Sequence, residues 1–166
     1  EISREFTVNN LSDNLSLAAH VEYDGGMTTF KPAGGTRFQN AALVGPALNG
    51  HNADYSKTWS VQAMYKQFFK GAGGDAYASF QLTGVWGINF AGGKGTFSGF
   101  IDFWRAETAN HHGQLQIISE PQLWYNVNSH LSLGGEVEIS NNFIIPECET
   151  DKTFYVNPTL GVKYVF

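Results

Sequence analysis

Polar and ring-bearing side chains recur at every second position in several stretches of this chain, a spacing that puts them on one face of a strand. Phe100, Asp102 and Trp104 alternate in one stretch, and Glu120, Gln122 and Trp124 in the next. Glu136 and Glu138 follow in a third, and Tyr155 and Asn157 in a fourth. Rings offer flat surfaces for stacking, while carboxylates and amides offer hydrogen bonds, the combination that a ring-bearing solute with hydroxyl groups needs. If 96–104 and 114–128 form a hairpin, Asp102 and Trp104 stand beside Glu120, Gln122 and Trp124 as one polar-aromatic patch. The same residues also suit a plainer role, bracing the wall of a narrow barrel with charged networks.

Other constellations fall short of a chemistry. Ser98 and Ser119 have no motif or spacing that supplies a histidine and an acid. Glu136 and Glu138 share a strand face and lack a facing partner to divide acid and base roles. Gly92-Gly93-Lys94-Gly95 lacks the full phosphate-loop pattern and reads as a turn. His111-His112 falls in an asparagine-rich connection and reads as a solvated loop, not a metal site. The single cysteine, Cys148, cannot form an internal disulfide and sits among Glu147, Glu149 and Asp151 in an acidic loop. No enzymatic activity, cofactor or metal is expected. A net charge of -5 argues against nucleic acid, whose phosphates call for a basic face.

The elements that must carry the alternating side chains are strands. From Ser79 to Phe90, the even positions are Phe80, Leu82, Gly84, Trp86, Ile88 and Phe90, and the odd ones are Ser79, Gln81, Thr83, Val85, Gly87 and Asn89. A helix would scatter these two sets around its circumference; a period of two keeps them apart. Comparable stretches occur at 1–8, 15–24, 37–48, 57–67, 96–104, 114–128, 131–140 and 154–166, separated by Asn- and Gly-rich turns. That predicts nine strands joined as hairpins in one domain over 1–166, with no helix and no linker. No stretch approaches the roughly 18 apolar residues of a membrane-crossing helix. Glu1 to Glu5 has neither the basic start nor the apolar stretch of a signal peptide.

Composition helps to orient the two faces. Charged residues make up 15 % and aromatics 14 % of the chain, against a usual charged share of about 25 %. Mean hydropathy is -0.22, as expected when only every second strand residue is apolar. One face is almost uninterrupted in its apolar character, with Tyr23, Trp59, Tyr65, Phe90, Phe97, Tyr125, Tyr164 and Phe166 towards its ends. Rings in those positions fit the aromatic girdles of a transmembrane barrel. The other face collects His20, Glu22, Asp24, Gln62, Lys66, Gln81, Asn89, Lys163 and the candidate site residues, a set suited to a wet lumen and ill suited to a dry core. The expectation is therefore an all-β, antiparallel, up-and-down transmembrane barrel.

The ending Gly161-Val162-Lys163-Tyr164-Val165-Phe166 resembles the terminal strand by which the barrel-assembly machinery recognises outer-membrane proteins of Gram-negative bacteria. With that strand ending in the periplasm, the connections at 27–36, 71–75, 106–113 and 142–152 become extracellular loops. Bacterial single-chain barrels have even strand numbers, and nine is odd, so one or three further strands upstream are expected. The stretches Glu1 to Phe6, His20-Val21-Glu22-Tyr23-Asp24-Gly25-Gly26, Phe97 to Arg105 and Ser119 to Asn126 resemble the nucleoside-specific channel-forming (Tsx-type) outer-membrane proteins. The resemblance implies a monomeric twelve-stranded barrel in the outer membrane, of which nine strands are present, passing nucleosides as a passive channel. The alternatives are a structural or plugged outer-membrane barrel, a barrel enzyme, and a soluble barrel holding an apolar ligand.

Overall fold

A chain of alternating residues leaves every backbone N–H and C=O to be paired with a neighbouring strand. The computed structural model, which describes residues 1–30, 34–71, 74–107, 113–141 and 154–166, meets that demand with one antiparallel sheet. Its strands are β1 (Ile2–Ser12), β2 (Leu15–Phe30), β3 (Gly34–His51), β4 (Lys57–Phe68) and β5 (Tyr77–Phe90). They are followed by β6 (Gly95–Ala106), β7 (Gln114–Ser119), β8 (Gln122–Asn126), β9 (Leu131–Asn141) and β10 (Phe154–Tyr164). Successive strands pair in up-and-down order except β7 and β8, which lie end to end between β6 and β9, and a short 3₁₀ turn, Ala91–Gly93, links β5 to β6.

Two departures from the predicted strands have clear causes. The seventh strand is split, so ten segments replace the expected nine strands. Ile101 pairs with Ser119 and Ser98 with Gln122, so β7 and β8 follow one register along β6 and occupy one lane. The break falls at Glu120 and Pro121, where proline has no N–H for the ladder. Second, the glycine- and threonine-rich stretch expected to loop at 27–36 is largely strand, with pairing from Gly26–Phe38 on to Phe30–Gly34. Ladder bonds are made by the backbone, which the weak strand preference of glycine does not prevent. His111, His112 and Cys148 lie outside the described residues.

The sheet is curled. Gln62 on β4 donates to Glu5 on β1 at 3.2 Å, although strands three places apart in a flat sheet stand about 14 Å apart. Those side chains therefore lie on the concave face. Burial follows the alternation: on β5, Ser79, Gln81 and Thr83 are buried while Phe80 and Leu82 are 54 % and 47 % exposed. Val61, Tyr65, Leu123, Leu133 and Val162 are likewise exposed on the convex face. The usual soluble arrangement is inverted: polar side chains are sheltered and apolar ones face outward. One apolar cluster does lie inside, formed by Ala41, Leu43, Met64, Phe68, Trp104, Ala106 and Ile118.

Among the described residues, β1 pairs only with β2 and β10 only with β9, leaving an open sheet with two edges. Counting lanes, those edge strands run in the same direction. At Gly45-Pro46 on β3 the pairs with β4 skip from Val44–Tyr65 to Ala47–Gln62 without a change of register. A Cβ on Gly45 would stand 2.1 Å from the Ala63 carbonyl oxygen. Gly45→Val should therefore force β3 and β4 apart and destabilise the fold by about 3 kcal/mol. Chemical denaturation would show this as a lower midpoint, and an unchanged midpoint would refute the close approach.

Candidate functional site

The inner face carries three linked groups of polar side chains. The first is centred on Glu5, whose position opposite His20 follows from the β1–β2 register. Its carboxylate lies 3.1 Å from His20 Nδ1 and accepts from Asn49 at 2.8 Å and Gln62 at 3.2 Å, joining β1 to β2, β3 and β4. His20 is 5 % exposed, and its Nε2 lies 3.0 Å from Glu22 on the same strand.

The second group crosses β2, β4, β5 and β6. Lys66, 6 % exposed, donates to Asp24 at 3.2 Å and to Gln81 at 2.6 Å. Gln81 donates to Thr83, whose hydroxyl donates to Asp102. The Lys66 ammonium also stands 5.0 Å from the Trp104 ring and 5.2 Å from that of Phe68. A buried ammonium is tolerated when carboxylate, amide and ring faces surround it in this way.

The third group belongs to β8, β9 and β10. Trp124 Nε1 donates to Gln122 at 3.1 Å, and Gln122 donates onward to Glu136 at 3.0 Å. Ser140 donates to Glu138 at 3.0 Å. Lys163 reaches from β10 to within 4.9 Å of the Trp124 ring centre. Gly134 and Gly161 leave room for that indole: a Cβ on Gly134 would lie 2.9 Å from the ring and one on Gly161 3.3 Å from it.

All ten predicted site residues occupy concave-face positions by alternation, but they do not form one patch. Asp102 pairs with Ile118 and Trp104 with Gln116, so β7 does not bring Glu120 or Gln122 directly against them. Instead Asp102 and Trp104 join Lys66 in the second group, while Gln122, Trp124 and Glu136 form the third. Phe100 packs against the inner apolar cluster. Glu120 is half-buried where the seventh lane is interrupted, with its N–H donated to the Phe100 carbonyl. Tyr155 pairs with Ser140, and Asn157 with Glu138, on the edge strand β10. Sequence reasoning passed over Glu5, Asn49 and Thr83; hairpin register opposite His20 would have brought in Glu5.

A cavity of about 860 Å³ opens at the end of β1–β5 that carries the 52–56 connection. Asn10, Ser16, Asn49, His51, Tyr55 and Ser60 are among its lining residues, and none of the predicted site residues is. The Tyr55 and His51 rings stack there at 3.8 Å. In the adjoining turn, the Ser56 N–H and hydroxyl donate to Asp54, holding its carboxyl below the usual carboxylate pKa.

Fold and site together define an all-β protein built as a curled antiparallel sheet with a polar interior and an apolar exterior. The chain belongs to the family described as Domain of unknown function (DUF5020), whose model matches residues 1–166. No curated protein and no solved structure matches it.

The Lys66–Asp24 pair gives a direct test of the second group. Lys66→Met leaves Asp24 without its ammonium and should destabilise the fold by about 2 kcal/mol, less than a fully buried pair because Asp24 keeps part of its solvent contact. Adding Asp24→Asn should recover part of that loss. Additive effects in the double-mutant cycle would show that the two side chains do not interact.

Proposed function

We propose that this chain is the wall of an outer-membrane β-barrel that passes small solutes, nucleosides first, through a polar lumen. The observation that carries this reading is the inversion of the two faces. Exposed Val61, Tyr65, Phe80, Leu82, Leu123 and Val162 suit hydrocarbon, while buried His20, Gln62, Lys66 and Gln81 suit a watery interior. Aromatic pairs lie near both ends of the outer face, Tyr65 beside Phe80 and Trp59 beside Trp86. Phe80 and Phe90 are ten residues apart on one strand, about 25 Å at a typical barrel tilt, the height of the apolar band in such proteins.

Lipid does not tolerate unpaired strand edges, so β1 and β10 need partners. Because they run in the same direction, an all-antiparallel closure requires an odd number of further strands between them. Three would make the monomeric twelve-stranded barrel of the Tsx-type proteins that the sequence resembles, and assembly would proceed through the machinery that reads the β10 strand. In this barrel Trp124, Tyr155 and the neighbouring carboxylates and amides form the surface past which a solute moves. A plugged, structural barrel is the second reading, favoured by the burial of Lys66, Gln62 and Gln81 under their own hydrogen bonds.

Two measurements test these readings. Leu82→Arg, on the outer face, should destabilise the inserted protein by about 2–4 kcal/mol if that face meets lipid. A change within about 0.5 kcal/mol would mean that it meets water, and the membrane reading would fall. Reconstituted into planar bilayers, the barrel should conduct, and adenosine or thymidine should reduce the current. Block by sugars or peptides instead would remove the nucleoside assignment, and a silent bilayer would favour the plug.

A further inference from the structure

Both inner tryptophans of the candidate site already hold an ammonium group. Lys66 lies 5.0 Å from the Trp104 ring and Lys163 lies 4.9 Å from that of Trp124. The two seats differ in access. Trp104 is 5 % exposed and Lys66 is fixed by Asp24 and Gln81. Trp124 is only half-buried, and its lysine is exposed on the edge strand and makes no ion pair among the described residues. An exposed lysine held by a ring face alone can swing away at little cost, because such contacts are weak in water.

The surroundings favour another cation in its place. Gln122 accepts from Trp124 and donates to Glu136, which ties that carboxylate to the ring within one hydrogen-bonded chain. The charges that face this seat are Glu120, Glu136 and Glu138 from the seventh lane and β9, and Lys163 from β10. Glu136 and Glu138 are hydrogen-bonded to neutral groups, Gln122 and Ser140, and make no ion pair among the described residues.

We infer that Trp124, with Glu136 beside it, is an exchangeable seat for small organic ammonium solutes, and that Lys163 occupies it when no solute is present. The transport consequence rests on the channel reading; binding to the seat does not. An alkylammonium would take the ring face that Lys163 leaves, and the carboxylates would favour cations over anions throughout this half of the interior.

Choline is the probe, and 3,3-dimethylbutanol, a neutral molecule of nearly the same shape, is the control. Calorimetry on the detergent-solubilised full chain should show saturable binding of choline and none of the alcohol. Lys163→Met removes the competing ammonium and should tighten choline binding about fivefold. Trp124→Leu should abolish it, and Glu136→Gln should weaken it. Equal binding of choline and the alcohol, or weaker or unchanged binding in Lys163→Met, would overturn the inference. The Lys163→Met result stands even if Trp124→Leu fails to fold, because it calls for a gain. In bilayers under a salt gradient the reversal potential should show cation preference, and anion preference would count against the seat. Choline binding without any conductance would sink the channel reading and leave the seat intact; conductance without choline binding would do the reverse.

Discussion

The backbone ladder is the constraint from which the rest of this structure follows. Each strand satisfies its N–H and C=O groups only through its neighbours, and this leaves the side chains free to differ completely on the two faces. The chain uses that freedom in an unusual sense. Its apolar residues are turned out and its polar residues are turned in, so the hydrophobic effect in water does not account for the shape by itself. The curl is held by the pairing of strands, by the one inner apolar cluster around Met64 and Trp104, and by the bonds that cross the concave face, such as Gln62 to Glu5 and Lys66 to Asp24.

Electrostatics divide the interior. On the β1–β6 side, Lys66 and His20 each meet carboxylates at close range, and the network fills the space with its own bonds. On the β7–β10 side, carboxylates bond to neutral amide and hydroxyl groups, and Lys163 is exposed. In the first half, loss of Asp24 would leave the buried Lys66 ammonium without its carboxylate. The second is open to exchange. The concave face thus combines a braced region and a more accessible one.

Much of this could be read from the sequence, for a physical reason. Period two is a local property, so strand positions and the sorting of Phe80 and Leu82 from Ser79 and Gln81 needed no tertiary knowledge. Register was harder. The pairing of Asp102 with Ile118 depends on how many residues the connection after β6 consumes, and that is why one expected patch became two groups. Glu5 illustrates a different limit: its bond to Gln62 exists only because the sheet curls, and curvature is not a property that alternation carries. The split of the seventh lane was written in Pro121, but the unbroken alternation around it concealed the signal.

That split has a mechanical meaning. Between Ser119 and Gln122 the ladder narrows to the bonds from Glu120 N–H to Phe100 and from Val137 N–H to Pro121. Strand pairs resist bending through continuous rows of such bonds, so a gap in one row acts as a crease. β6 and β9 run unbroken on either side and pair with both β7 and β8, so the crease is confined to the seventh lane. Such a crease gives the seventh lane a local compliance at Glu120 and Pro121 that the strands beside it do not share.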